Sequence, residues 1–189
     1  MALLAESLVE EWLNRQGFFT IRGVRAGVDE LDLLAVRPSK NGKALEARHI
    51  EVQMSVNPIA YISPLTPAQT KEYEKSKTSA WRRPPEALPI SVAAWVNKKF
   101  LSETKIRARD RAWPNLEWSF YFVHGKVRHE EELPLIASHG IELIQFYSVL
   151  AELCKNEDDA PKGGAGSDIA DMIAYYTEHY SNSRTIAEQ

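Results

Sequence analysis

Two acids stand inside otherwise apolar runs, Asp32 in ELDLLAV and Glu51 in HIEVQMSV. Burying a carboxylate is costly unless it is paired or binds a cation, so an acid in such a run needs a reason. Gln53 follows Glu51 by two residues. The two-residue period of a strand turns both to one face, while the Val52 side chain points away. Asn41-Gly42, between the runs, is a hairpin signal that brings Asp32 and Glu51 toward each other across neighbouring strands. Carboxylates on rigid elements hold a hard divalent cation such as Mg2+ or Mn2+. Such a cation stabilises charge on a pentacoordinate phosphorus and generates hydroxide near neutral pH, which is what phosphodiester hydrolysis requires. The first segment adds further acids. Leu4, Leu8 and Trp12, joined by Val9 and Leu13, make one broad helical face between Leu3 and Arg15. Glu6 lies at one margin of that face, Glu11 at the other, and Glu10 projects toward water. Periodicity does not choose between Glu6 and Glu11.

The elements that position these residues read as an α/β fold. Gly17 ends the first helix. Residues 18–23, 31–38 and 48–56 read as strands. Thr66 as N-cap and Pro67 at the first helical position begin a helix over 67–79. The run PISVAAWV at 89–96 alternates little and is expected to be a strand buried on both faces, with another at 118–125. A short helix closed by Gly140, a strand IELIQF and a helix SVLAELC capped by Ser148 follow. The expectation is a mixed sheet flanked by helices over residues 1–155, a linker over 156–167, and a C-terminal helix and polar tail over 168–189. That last helix could dock on a partner or on a second copy, giving a homodimer.

Composition narrows the classes. The apolar share of 44% and charged share of 26% suit a globular domain, and no apolar run approaches the ~20 residues that span a bilayer. The N-terminal stretch has no basic region before its apolar residues, and Cys154 is the single cysteine, so a cytoplasmic protein without a disulfide framework is expected. The five His residues lack zinc-like spacing, and His49, the one near the acids, is expected at the surface. Net charge is −3, yet residues 71–111 hold eleven Lys or Arg against five Asp or Glu, a local +6. Lys98, Lys99, Lys105, Arg107, Arg109, Arg111, Arg82 and Arg83, interleaved with aromatic residues, suit phosphates and exposed bases.

The ordered set ESLVEEWLNRQGFFTIRG, DELDLLAV and HIEVQMS resembles the PD-(D/E)xK nuclease superfamily, in its Holliday junction resolvase and restriction-enzyme-like branches. The resemblance covers about the first 56 residues, and the later strand order is compatible with it. It picks Glu6, which stands eleven residues before Gly17-Phe18. It implies a restriction-endonuclease-like core (α-β-β-β-α-β), Mg2+ or Mn2+ held by Asp32, Glu51 and the Val52 carbonyl with Glu6 assisting, and DNA as substrate. Gln53 departs from the pattern: where the family usually has Lys, a neutral amide orients water by hydrogen bonds but supplies no positive charge. Lys71 and Lys75 are the nearest substitutes by sequence order. Gln69 and Tyr73, one helical turn apart, are similar to a Q-x-x-x-Y motif near the active site of RecB-like nucleases. A fold that has lost catalysis and binds nucleic acid or serves assembly is the competing expectation.

Overall fold

The computed structural model describes residues 2–154, 168–173 and 175. Ala2–Arg15 form α1, whose Ala5, Leu8, Val9, Trp12 and Leu13 are buried at helical spacing. Gly17 takes φ +81°, a left-handed conformation that favours glycine, while Phe18 N–H donates to the Leu13 carbonyl to close the helix.

Three strands follow, β1 (Phe19–Ala26), β2 (Asp29–Pro38) and β3 (Leu45–Gln53), joined as antiparallel neighbours. Next come α2 (Pro67–Glu72), α3 (Ala87–Val96), a π turn (Asn97–Leu101) and α4 (Glu103–Ala112). Then β4 (Ser119–His124) pairs parallel to β3. After α5 (Glu132–Ala137), β5 (Ile141–Gln145) pairs parallel to β4, and α6 (Phe146–Leu153) follows. The result is a five-stranded mixed sheet in the order β1-β2-β3-β4-β5.

Strand alternation divides the sheet into two faces. Leu33, Ala35, Ile50, Val52, Tyr121 and Val123 face α1 and α6. On the other face Phe122 packs with Val92, Trp95, Val96 and Phe100 from α3 and the π turn, and Ala108 of α4 packs with Leu34; Leu31, near the start of β2, joins that last cluster although alternation would turn it the other way.

Residues 89–96 are not a strand. They belong to α3, in which Ala87, Leu88, Ser91, Val92, Trp95 and Val96 are buried while Pro89, Ile90, Ala93 and Ala94 are exposed. That is a helical period hidden because apolar Ile90 and two alanines occupy its outer face. The expected 67–79 helix stops at Glu72, and Glu74 takes φ +50° in the turn beyond it. In α6, Ser148 is interior, because the helix begins two residues earlier at Phe146.

The expected linker 156–167, and 176–189 of the expected tail, lie outside the described residues. Residues 168–173 are helical, and Ala170, with Ile169 and Ile173 beside it, joins the α1 and α6 core. Among the described residues no helix is long and apolar enough to cross a membrane.

Candidate functional site

Pairing between β2 and β3 reaches Leu33 opposite Ile50, so Asp32 and Glu51 are the next residues along the same register. Leu34 opposes His49, which places Asp32 and Glu51 on one face of the sheet. At this point the Val52 N–H donates to Asp32 Oδ2 at 2.8 Å, so a side chain replaces a strand bond. A strand residue's N–H and C=O leave on the same side, so the Val52 carbonyl also points toward β2. Across the other edge of β2, Gly23 stands opposite Asp32 with φ +68°, a conformation a side chain would strain.

Glu51 is completely buried and both its oxygens are engaged. Oε1 meets His49 Nε2 at 3.0 Å and Lys105 Nζ at 2.9 Å, and Oε2 meets Lys99 Nζ at 2.6 Å. Burial alone would raise the Glu51 carboxyl, but the His49 hydrogen bond and the lysine charges outweigh it and hold the pKa at about 2. Lys99 is pulled the other way: burial would lower it, and the charges of Glu51 and Asp32 raise it instead. It is therefore a cation at neutral pH.

Asp32 has no such partner. Burial, reinforced by the charge of Glu51, raises its carboxyl to about 7, despite Lys99 and the Val52 N–H. Glu6 is also buried and is raised, first by burial and then by the charge of Glu30, with Glu51 adding to it. Glu11 turns elsewhere, accepting from Arg15 Nε at 2.8 Å. Of the two helix acids, Glu6 is the one in the field of the pair.

Behind Glu51 lies a second layer that the sequence does not announce. His49 is fully buried, against the surface position expected for it. Arg109 Nη1 donates to His49 Nδ1 at 3.1 Å. Arginine only donates, so Nδ1 accepts and the proton sits on Nε2, facing Glu51. Burial lowers the His49 pKa, in keeping with a neutral ring. The same Arg109 nitrogen donates to the Phe100 carbonyl at 2.7 Å, tying α4 to the π turn. Lys105 donates additionally to the Glu30 carbonyl.

Several residues expected on a nucleic-acid surface are thus turned inward. Lys105 and Arg109 are buried under Glu51 and His49. Arg83 is buried too: it donates to the Ser63 carbonyl at 2.7 Å, neighbours Glu132 and covers the Tyr61 ring. Gln69 completes the capping box with Thr66 and donates to the Ala87 carbonyl at 2.8 Å, a role in fixing α2 on α3. Tyr73 packs beside Trp81. Lys71, Lys75, Arg82, Lys98, Arg107 and Arg111 are exposed. The cations that reach Glu51 are Lys99 and Lys105, not Lys71 or Lys75.

Among the described residues no three His, Cys, Asp or Glu side chains stand together as a ready cation site. The donor set that does exist is two carboxylates on adjacent strands and a backbone carbonyl. Mg2+ is commonly held by one or two carboxylates with water completing its shell; Asp32 has the donor atoms for that role, whereas both Glu51 oxygens are already engaged by His49, Lys99 and Lys105. No protein-family model, curated protein or solved structure matches the chain.

Proposed function

We propose that this fold is a restriction-endonuclease-like, PD-(D/E)xK nuclease core that hydrolyses DNA phosphodiesters with Mg2+ or Mn2+. The observation that carries the reading is the Asp32 and Glu51 pair at one step of the β2–β3 register, with an unneutralised Asp32 carboxyl, the Glu6 carboxyl in its field and Lys99 on Glu51. The order helix, antiparallel meander, helices and parallel strand is compatible with that core.

Asp32, Glu51 and the Val52 carbonyl would hold the cation, with Glu6 beside them. When bound, the cation would supply charge to the phosphate and acidify water. The chain's own residues divide the remaining work. Lys99 supplies the positive charge that Gln53 does not, from a different element than the family pattern uses. Kept protonated by Glu51 and Asp32, it serves to stabilise negative charge on the phosphoryl oxygens rather than to accept a proton. Gln53, whose amide makes no hydrogen bond among the described residues, orients water. His49 and Arg109 fix Glu51 from behind, and Lys105 neutralises it within the core.

The test is cleavage of supercoiled, linear and branched DNA with Mg2+ or Mn2+, comparing the wild type with Asp32→Ala. Metal-dependent cleavage lost in the variant is expected; equal cleavage by both, or cleavage without metal, overturns the reading.

One observation favours a second reading. Glu51 is already neutralised by two lysines and a histidine, as in a buried ion cluster that serves only the fold. A non-catalytic nucleic-acid-binding module would then bind DNA while calorimetry detects no Mg2+ or Mn2+ at Asp32 and Glu51.

A further inference from the structure

Beside the acids is a cavity of about 580 Å³ whose volume the hydrolytic scheme does not fill, within the range of about 300–1,000 Å³ typical of small-molecule sites. Its lining is mostly apolar and includes Pro58, Ile59, Ala60, Pro64 and Trp95 of α3. Gln53 and Lys99 line it as well, so it opens onto the same residues that flank Glu51. Lys98 and Arg128 bring further positive charge to its lining.

The loop that walls the cavity has little regular structure, yet it is tightly held. Buried Glu132 accepts from the Ile62 N–H at 2.6 Å, from the Ser63 N–H at 3.2 Å and from the Ser63 hydroxyl. Arg83 anchors the Ser63 carbonyl, and Ile59 exchanges backbone bonds with Lys126 and Arg128. A buried polar network of this kind makes the cavity a preformed one. Lys98 already pairs with Asp29 and Lys99 with Glu51, and with Arg128 added the lining suits an occupant that combines an apolar body with negative charge.

Resting on the nuclease reading above, we propose that this cavity receives the base of an unpaired nucleotide adjoining the scissile phosphate, so that the substrate is single-stranded nucleic acid or a strand with an extrahelical base. A base stacked and paired inside a duplex cannot enter a concave site, whereas an unstacked one presents an apolar body still joined to its phosphate.

The experiment is a calorimetric titration in EDTA of the full chain with a short oligothymidylate and with an abasic oligomer of equal length and charge. Preference for the oligothymidylate by about tenfold is expected from one buried base. Ala80 is exposed and lines the cavity, so Ala80→Trp should fill it and abolish that preference. Equal affinity of the wild type for both oligomers, or a preference that survives in Ala80→Trp, overturns the proposal. The wild-type comparison stands if the variant misfolds. No metal is present, so failure here leaves the nuclease reading to be judged by metal-dependent cleavage alone.

Discussion

Glu51 and Asp32 differ by about five pH units in titration although they sit side by side, near 2 and near 7. Glu51 has lysine partners and Asp32 does not, and opposite consequences for stability follow. Glu51 ionises more readily folded than unfolded, so its stabilisation is present above its ordinary pKa of 4.5 and lost as pH falls through about 2. Asp32 ionises less readily folded than unfolded. Its favourable contribution is complete below 3.8 and is lost as pH rises through about 7. Asp32→Asn keeps an oxygen for the Val52 N–H, so in EDTA it should be more stable than the wild type by about 1–3 kcal/mol at pH 8, after discounting for partial exposure. Urea titrations should show that advantage vanishing toward pH 4. Glu51→Gln strands two lysine charges, one of them buried, and should cost about 3–5 kcal/mol in the same measurement. Lys99→Met leaves Glu51 Oε2 buried without its partner and should cost about 1–3 kcal/mol in the same measurement, less than Glu51→Gln because Lys99 is partly exposed. Cleavage in Mg2+ should fall by about a hundredfold or more, beyond what that loss of stability explains. Lys99→Arg should recover part of it.

At the scale of elements, the π turn sets the direction of the cations. Its i to i+5 bond, from Ser102 N–H to the Asn97 carbonyl at 2.7 Å, is followed by extended Ser102 before α4 begins. Lys99 and Lys105 come from separate helical segments and still meet on one carboxylate. Phe100 pins the turn against Trp95 and His49, so Phe100→Ala should destabilise the fold by about 3–5 kcal/mol and lower cleavage further than Lys99→Met does. The joint measurement is a urea midpoint with a single-turnover cleavage rate.

The acids, the hairpin and the first helix were readable because their signals are local: an acid in an apolar strand, Asn41-Gly42, and a helical apolar face ending at Gly17. The buried face of α4 was not, because Lys105, Ala108 and Arg109 carry no apolar stripe and satisfy their charges on groups distant in sequence. His49 was hidden for the same reason: its partner Arg109 lies 60 positions away. In α3, alanine and isoleucine on the outer face disguised a helix as a strand.

For the whole molecule, the segment around Ala170 completes the face of the sheet that α1 and α6 cover. Truncation after residue 154 removes Ile169, Ala170 and Ile173 from that face. It should lower stability by about 1–3 kcal/mol in urea while leaving Asp32 and Glu51, which face the other side, in place. If the same segment instead carries self-association, the truncation will change the mass measured in solution.

The sheet also has two kinds of seam. The β1–β2 and β2–β3 seams are hairpins closed by short turns, whereas β3–β4 is parallel and encloses α2, α3, the π turn and α4. Short loops close early and long ones late, which makes the meander the natural nucleus of folding. The contacts from Lys99 and Lys105 to Glu51 span 48 and 54 positions and belong to the late seam. In stopped-flow chevrons Lys105→Met should therefore steepen escape from the native state while refolding keeps its pace, a φ-value near zero. The carboxylate cluster then acts as a clasp fastened after the rest of the chain has folded, and its rupture sets how long the native protein persists.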